Sequence, residues 1–144
     1  MKRLFEYINS FFRVRETGII KGVDPAGEFA AVLNRERDRA DRTGKGFSLV
    51  VFEVRTDRGN LLSARALAER LTCRIRSTDN IGWLDDGRLA VVLPHTDAEG
   101  AWLLVSTVRK EIPEDTPYPE CTVYAYPTLW IDGDDATPDA VRAI

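Results

Sequence analysis

Three carboxylates and one arginine–aspartate pair are the residues whose types and spacing bear on chemistry. Glu53 is the only acid in the apolar run 47–54, FSLVVFEV. A carboxylate at the end of a central strand is a metal ligand in one reading. In the other it is a strand-end residue reaching solvent. Asp85 and Asp86 stand beside Gly87 and Arg88, so two acids and a base crowd one turn. Upstream, Arg76 and Asp79 are three apart in Arg76-Ser77-Thr78-Asp79. An arginine fork offers fixed donors and a carboxylate offers acceptors, so the pair fits a binding role. The same pair also fits a helix end that orients the strand after it, and both readings stay open. His95 has no partner at triad or metal spacing and reads as a loop residue. Cys73 and Cys121 lie far apart and read as buried free thiols. There is no Gly-rich phosphate loop.

The elements that position these residues follow from pattern. Asp85-Asp86-Gly87-Arg88 lies between Ile81-Gly82-Trp83-Leu84 and Leu89-Ala90-Val91-Val92-Leu93. Asp-Gly between apolar runs predicts a β-hairpin with a type I′ turn, and Pro94 ends the second strand. Asp24 as N-cap and Pro25 at the first helical position predict a helix to about Arg42, stopped at Thr43-Gly44. Phe29, Val32, Leu33 and Ala40 face inward, and the alternating charges of residues 35–42 form its solvated face. The run 47–54 is rich in β-branched residues and predicts a central strand covered on both faces. Residues 61–75 read as a helix through Ala64, Leu67, Ala68 and Leu71. Asp97 caps another to about Ile112. Residues 121–126 are the last core strand, with an extension toward Leu129 and Trp130.

The order strand, helix, strand, strand, helix, strand is that of α+β ferredoxin-like and palm folds, βαββαβ on an antiparallel sheet with extra N-terminal helices. Right-handed crossovers put the two inner helices on one face. The charged helix before the first strand covers part of the other. The expected division is 1–23, a helix and connector; 24–130, the domain; and 131–144, an acidic tail. Leu4, Phe5, Ile8, Phe11 and Phe12 lie between basic ends in residues 1–15. They read either as a helix packed on the protein or a partner copy, or as a peripheral membrane contact.

At 144 residues, 44% hydrophobic and 30% charged, one packed domain is expected. A net charge of −3 and a pI of 5.2 argue against nucleic acid as a partner. No signal peptide or membrane span is evident, so a cytoplasmic location, with membrane association through residues 1–15 as its variant, is the default.

From about Phe29 to Tyr126 the chain resembles the GGDEF domain of diguanylate cyclases. The cues are Asp79-Asn80-Ile81-Gly82 running into the hairpin, then LAVVLPHT, then a helix beginning DAEGA; LNRERDRADRTGKGFSLVVF resembles the family's first helix and strand. The resemblance sets the family's hairpin tip, Gly-Gly-Asp/Glu-Glu-Phe, on Asp85, Asp86, Gly87, Arg88 and Leu89. Carboxylates thus replace the glycines that let a nucleotide approach. The family's metal-binding acid falls on Gly87, the next acid on Arg88 and the first-strand acid on Glu53. The guanine-reading Phe-Lys-x-x-Asn-Asp segment is missing. The resemblance therefore implies a degenerate, catalytically inactive domain with no catalytic residue, metal or cofactor. Arg76 and Asp79 match the RxxD inhibitory site, which implies cyclic di-GMP as a ligand. The further arginine of other members falls on Thr107, with Arg109 close by.

The leading expectation is an inactive GGDEF-like signalling module, a cyclic di-GMP receptor through Arg76, Asp79 and Arg109, acting as a homodimer or on a partner protein. A divergent metal-dependent nucleotide cyclase using Glu53, Asp85 and Asp86 is one alternative. A pure interaction or membrane-docking domain is the other. Degenerate members are associated with exopolysaccharide control, at the level of the family alone.

Overall fold

Eight elements order the residues that the structure, a computed structural model, describes: 20–55, 61–115 and 118–127. They are β1 (Val23–Asp24), α1 (Ala26–Thr43), β2 (Phe47–Arg55), α2 (Leu61–Arg74), β3 (Asn80–Trp83), β4 (Arg88–Pro94), α3 (Ala98–Glu111) and β5 (Cys121–Tyr126). Residues 1–15, the 56–60 loop, the extension at Leu129-Trp130 and the tail 131–144 lie outside the described residues.

The strands form one sheet in the order β1-β3-β4-β2-β5. The last four pair antiparallel, in the predicted βαββαβ arrangement. The fifth strand was not expected. Val23 and Asp24 pair parallel with Ile81 and Gly82, and Ile20 and Val23 are buried, so the end of the predicted connector packs on the sheet. Two residues carry no periodicity, and only the pairing defines them.

β2 lacks polar alternation because both of its faces are covered. Val50, Phe52 and Val54 pack with Ala64, Leu67 and Leu71 of α2 and Ala101, Val105 and Val108 of α3. Phe47, Leu49 and Val51 pack with Phe29 and Ala40 of α1 and Ala90 and Val92 of β4. Val51, Leu67, Leu71, Val91 and Val123 are buried, and Leu104 is half-buried. A buried side chain of this size contributes about 1.5–3 kcal/mol. Phe29 needs the glycine at 82: a Cβ there would sit 2.2 Å from its ring.

Helix ends follow the sequence with one correction. Gly44, at φ 77°, closes α1, and Asp97 caps α3 by accepting from the Gly100 N–H at 2.8 Å. At the start of α1, however, Pro25 and not Asp24 is the N-cap, without a side-chain cap bond. Asp24 is committed to β1, and its carboxylate accepts from Asn80 Nδ2 at 3.2 Å.

Candidate functional site

The hairpin tip holds the first group of candidates. The predicted two-residue I′ turn is instead a three-residue loop, Asp85–Gly87. Leu84 N–H donates to the Arg88 carbonyl at 2.8 Å and Gly87 N–H to the Leu84 carbonyl at 2.9 Å. Only Gly87 has a positive φ, 90°. A turn followed by one left-handed glycine is the usual three-residue solution. The Asp86 carboxylate serves the same loop: Oδ1 accepts from Arg88 N–H at 3.0 Å.

Arg88 organises this tip. Its Nε donates to Asp86 Oδ2 at 2.9 Å and its Nη1 to Glu53 Oε2 at 2.7 Å. Glu53 reaches it because β2 shifts register between Phe52 and Arg55, where β2 leaves the regular ladder. Burial pulls the Arg88 guanidinium down, but its bond to Glu53 and the charges of Asp86 and Glu53 outweigh this and hold it above its ordinary value. Glu53, Asp85 and Asp86 are all exposed. Among the described residues, no group of three or more His, Cys, Asp or Glu is placed to hold a metal ion. The three acids of the cyclase alternative are thus not gathered, and two of them share a guanidinium.

The second group lies at the other end of the sheet, about 20 Å along β4 at strand rise. Here the two members differ in burial: the Asp79 side chain is 3% exposed, against 56% for Arg76. Asp79 Oδ2 accepts from the Arg76 backbone N–H at 2.8 Å and from Nε at 3.3 Å, and Oδ1 accepts from Nη2 at 3.1 Å. Nη2 also donates to the Pro94 carbonyl at 2.9 Å and to Thr96 Oγ1 at 2.8 Å. The pair therefore ties the end of α2 to the end of β4. Buried Ser48 donates to the Thr96 carbonyl at 2.7 Å and holds the same loop.

Arg109 is not joined to this pair. Its guanidinium lies 5.2 Å from the Tyr118 ring centroid, and among the described residues it makes no hydrogen bond or ion pair to Arg76 or Asp79. Thr107 donates to the Leu103 carbonyl within its own helix. Burial raises the Tyr118 hydroxyl pKa. It pushes the Cys121 thiol up to about 12, with Arg109 opposing both shifts. Cys73, read as buried from the sequence, is exposed.

Sequence reasoning missed a third cluster. Arg39 Nη1 lies 2.7 Å from His95 Nε2, and Arg39 Nε donates to Glu36 Oε1 at 2.9 Å. Tyr126 donates to Asp41, and Arg37 stands 5.8 Å from the Tyr126 ring. The charged face of α1 thus turns partly inward. A cleft of ≈ 600 Å³ opens beside it, lined by Lys45, Phe47, His95, Thr96, Asp97 and Tyr126 among others. No local pattern marks contacts between residues 56 and 85 positions apart.

No helix among the described residues is long and apolar enough to cross a membrane. No protein-family model matches the chain, and no curated protein matches it in sequence. Solved structures do match. A diguanylate cyclase protein from Thermotoga maritima is 16% identical with a TM-score of 0.60, over 74% of this chain and 83% of that one. The GGDEF domain of DgcB from Caulobacter crescentus, in complex with c-di-GMP, is 13% identical with a TM-score of 0.61, over 75% and 73%. The diguanylate cyclase SiaD from Pseudomonas aeruginosa, in complex with its activator SiaC, is 16% identical with a TM-score of 0.56, over 86% and 54%. With five strands in the order above and helices on both faces, the chain has the GGDEF fold.

Proposed function

We propose that this chain is a signalling module that keeps the GGDEF fold without the cyclase reaction and acts by binding. The observation that carries the reading is Arg88, whose guanidinium bridges Glu53 and Asp86 at the hairpin tip. A divalent cation bound to triphosphate needs carboxylates free of other cations. Here two acids share one internal arginine, which competes with a metal for them, and Gly87 has no side-chain ligand to give. The direct test is turnover of GTP and of ATP with magnesium or manganese. The expected result is no cyclic dinucleotide above a Glu53→Ala control. Product that disappears in that control would overturn the proposal.

A second reading is a cyclic di-GMP receptor at Arg76 and Asp79, and the exposure of Arg76 favours it. Asp79, already bonded to Arg76, would act chiefly by holding the guanidinium in place. Calorimetry with cyclic di-GMP tests this: binding should weaken about tenfold or more in Arg76→Ala, the loss of one bidentate guanine contact. No heat with the wild-type chain, or unchanged binding in the variant, removes the reading and leaves a module that acts through a partner protein.

A further inference from the structure

His95 is the only histidine in the chain and is held in an uncommon conformation. Its φ is 57°, the one left-handed non-glycine backbone among the described residues. Such a conformation persists where surrounding contacts fix it. Two contacts do so. The His95 N–H donates to the Gly46 carbonyl at 2.9 Å, and ring Nε2 lies 2.7 Å from Arg39 Nη1.

The second contact fixes the chemistry of the ring. A guanidinium has donors only and stays protonated, so Nε2 must be the acceptor. That requires a neutral imidazole with its proton on Nδ1. Once protonated, the ring has two donors and nothing to offer Arg39, and two cations would face each other at hydrogen-bond distance. Arg39 is poorly placed to absorb the loss. Its Nη2 lies 2.7 Å from Glu36 Oε1 but is buried without a well-aligned hydrogen bond.

The charged groups around His95 come from four sides. α1 supplies Arg39 and Glu36, and the turn after it Lys45. Asp97, at the start of α3, is committed to the Gly100 N–H. Tyr126 of β5 is committed to Asp41. Across Thr96, Arg76 holds the far side of the same loop. Among the described residues, Arg39 is the only side chain bonded to the His95 ring.

We propose that His95 and Arg39 form a proton-operated latch: neutral His95 ties the last turns of α1 to the β4–α3 loop at the mouth of the cleft, and protonation frees α1 from that loop. The remaining bonds of the loop, from Ser48 and Arg76 to Thr96, do not involve His95 and stay. The latch is thus local, and it does not depend on the functional reading above.

Two measurements on the full chain test it. In nitrogen NMR of the single histidine at about pH 8, the latch requires the Nδ1–H tautomer. The Nε2–H tautomer would overturn it without any variant. In amide hydrogen exchange corrected for intrinsic rates, residues 38–43 should exchange about two- to threefold faster at about pH 5 than at about pH 8, the loss of one solvent-exposed contact. His95→Gln, whose carbonyl accepts from Arg39 at either pH, should show no such change. Arg39→Met should exchange fast at both. A wild-type chain without the difference, or a His95→Gln chain with the same difference, overturns the latch.

Discussion

An arginine closes each end of this sheet, and the two closures differ in kind. At the hairpin tip, Arg88 bridges Glu53 and Asp86, whose side chains are 41% and 42% exposed. At the Pro94 end, Arg76 is pinned by an Asp79 side chain that is 3% exposed, and it passes its other bonds to Pro94 and Thr96. Exposed pairs are screened by water and contribute little to stability. A buried carboxylate with three donors is another matter, because removing it leaves those donors unmet. The tip is therefore an end where one cation is shared by two acids at small structural consequence. The Pro94 end is where the chain is held together.

This contrast yields graded expectations. Asp79→Ala should cost about 2–3 kcal/mol in urea unfolding, for it strips the partner from the Arg76 backbone N–H and from its guanidinium. A cost within 0.5 kcal/mol would place the pair with the exposed ones and break the comparison. Ser48→Ala removes a single bond from a fully buried hydroxyl to the Thr96 carbonyl and should cost about 1 kcal/mol by the same assay. At the tip, Arg88→Met should shift stability by no more than about 0.5 kcal/mol. Thiol labelling sharpens the point. Burial pushes Cys121 up to about 12, so between its usual range and that value the folded chain keeps the thiol protonated. Stability from this group is complete below the unfolded thiol's pKa and falls as the solution is made more alkaline toward 12. In both wild type and Arg88→Met near neutral pH, iodoacetamide should modify exposed Cys73 and spare Cys121. Labelling of Cys121 in the variant alone would mean that Arg88 holds the tip end shut.

Much of this contrast was legible in the sequence, and the remainder has physical reasons. The apolar run of β2, the helix patterns and the Asp97 cap each rest on local preference, and they place the four core strands and three helices. Asp-Gly located the hairpin but not its loop length, since it suits both a two-residue I′ turn and a three-residue loop that ends on a left-handed glycine. Arg76 and Asp79 were legible as a pair. The burial of Asp79 was not, because it depends on β4 ending beside them. β1 exists only by pairing with β3, and the Arg39–His95 contact joins residues whose local patterns say only charged helix and loop.

The central claim is that an internal cation stands at the tip in place of a metal. Manganese titration of the wild-type chain with saturating GTP, followed by paramagnetic broadening of the Glu53 and Gly87 amides, tests it most directly. The account predicts no selective broadening of these amides at micromolar manganese. Selective loss of both signals at that concentration, with the amides of the Pro94 end unaffected, would contradict it.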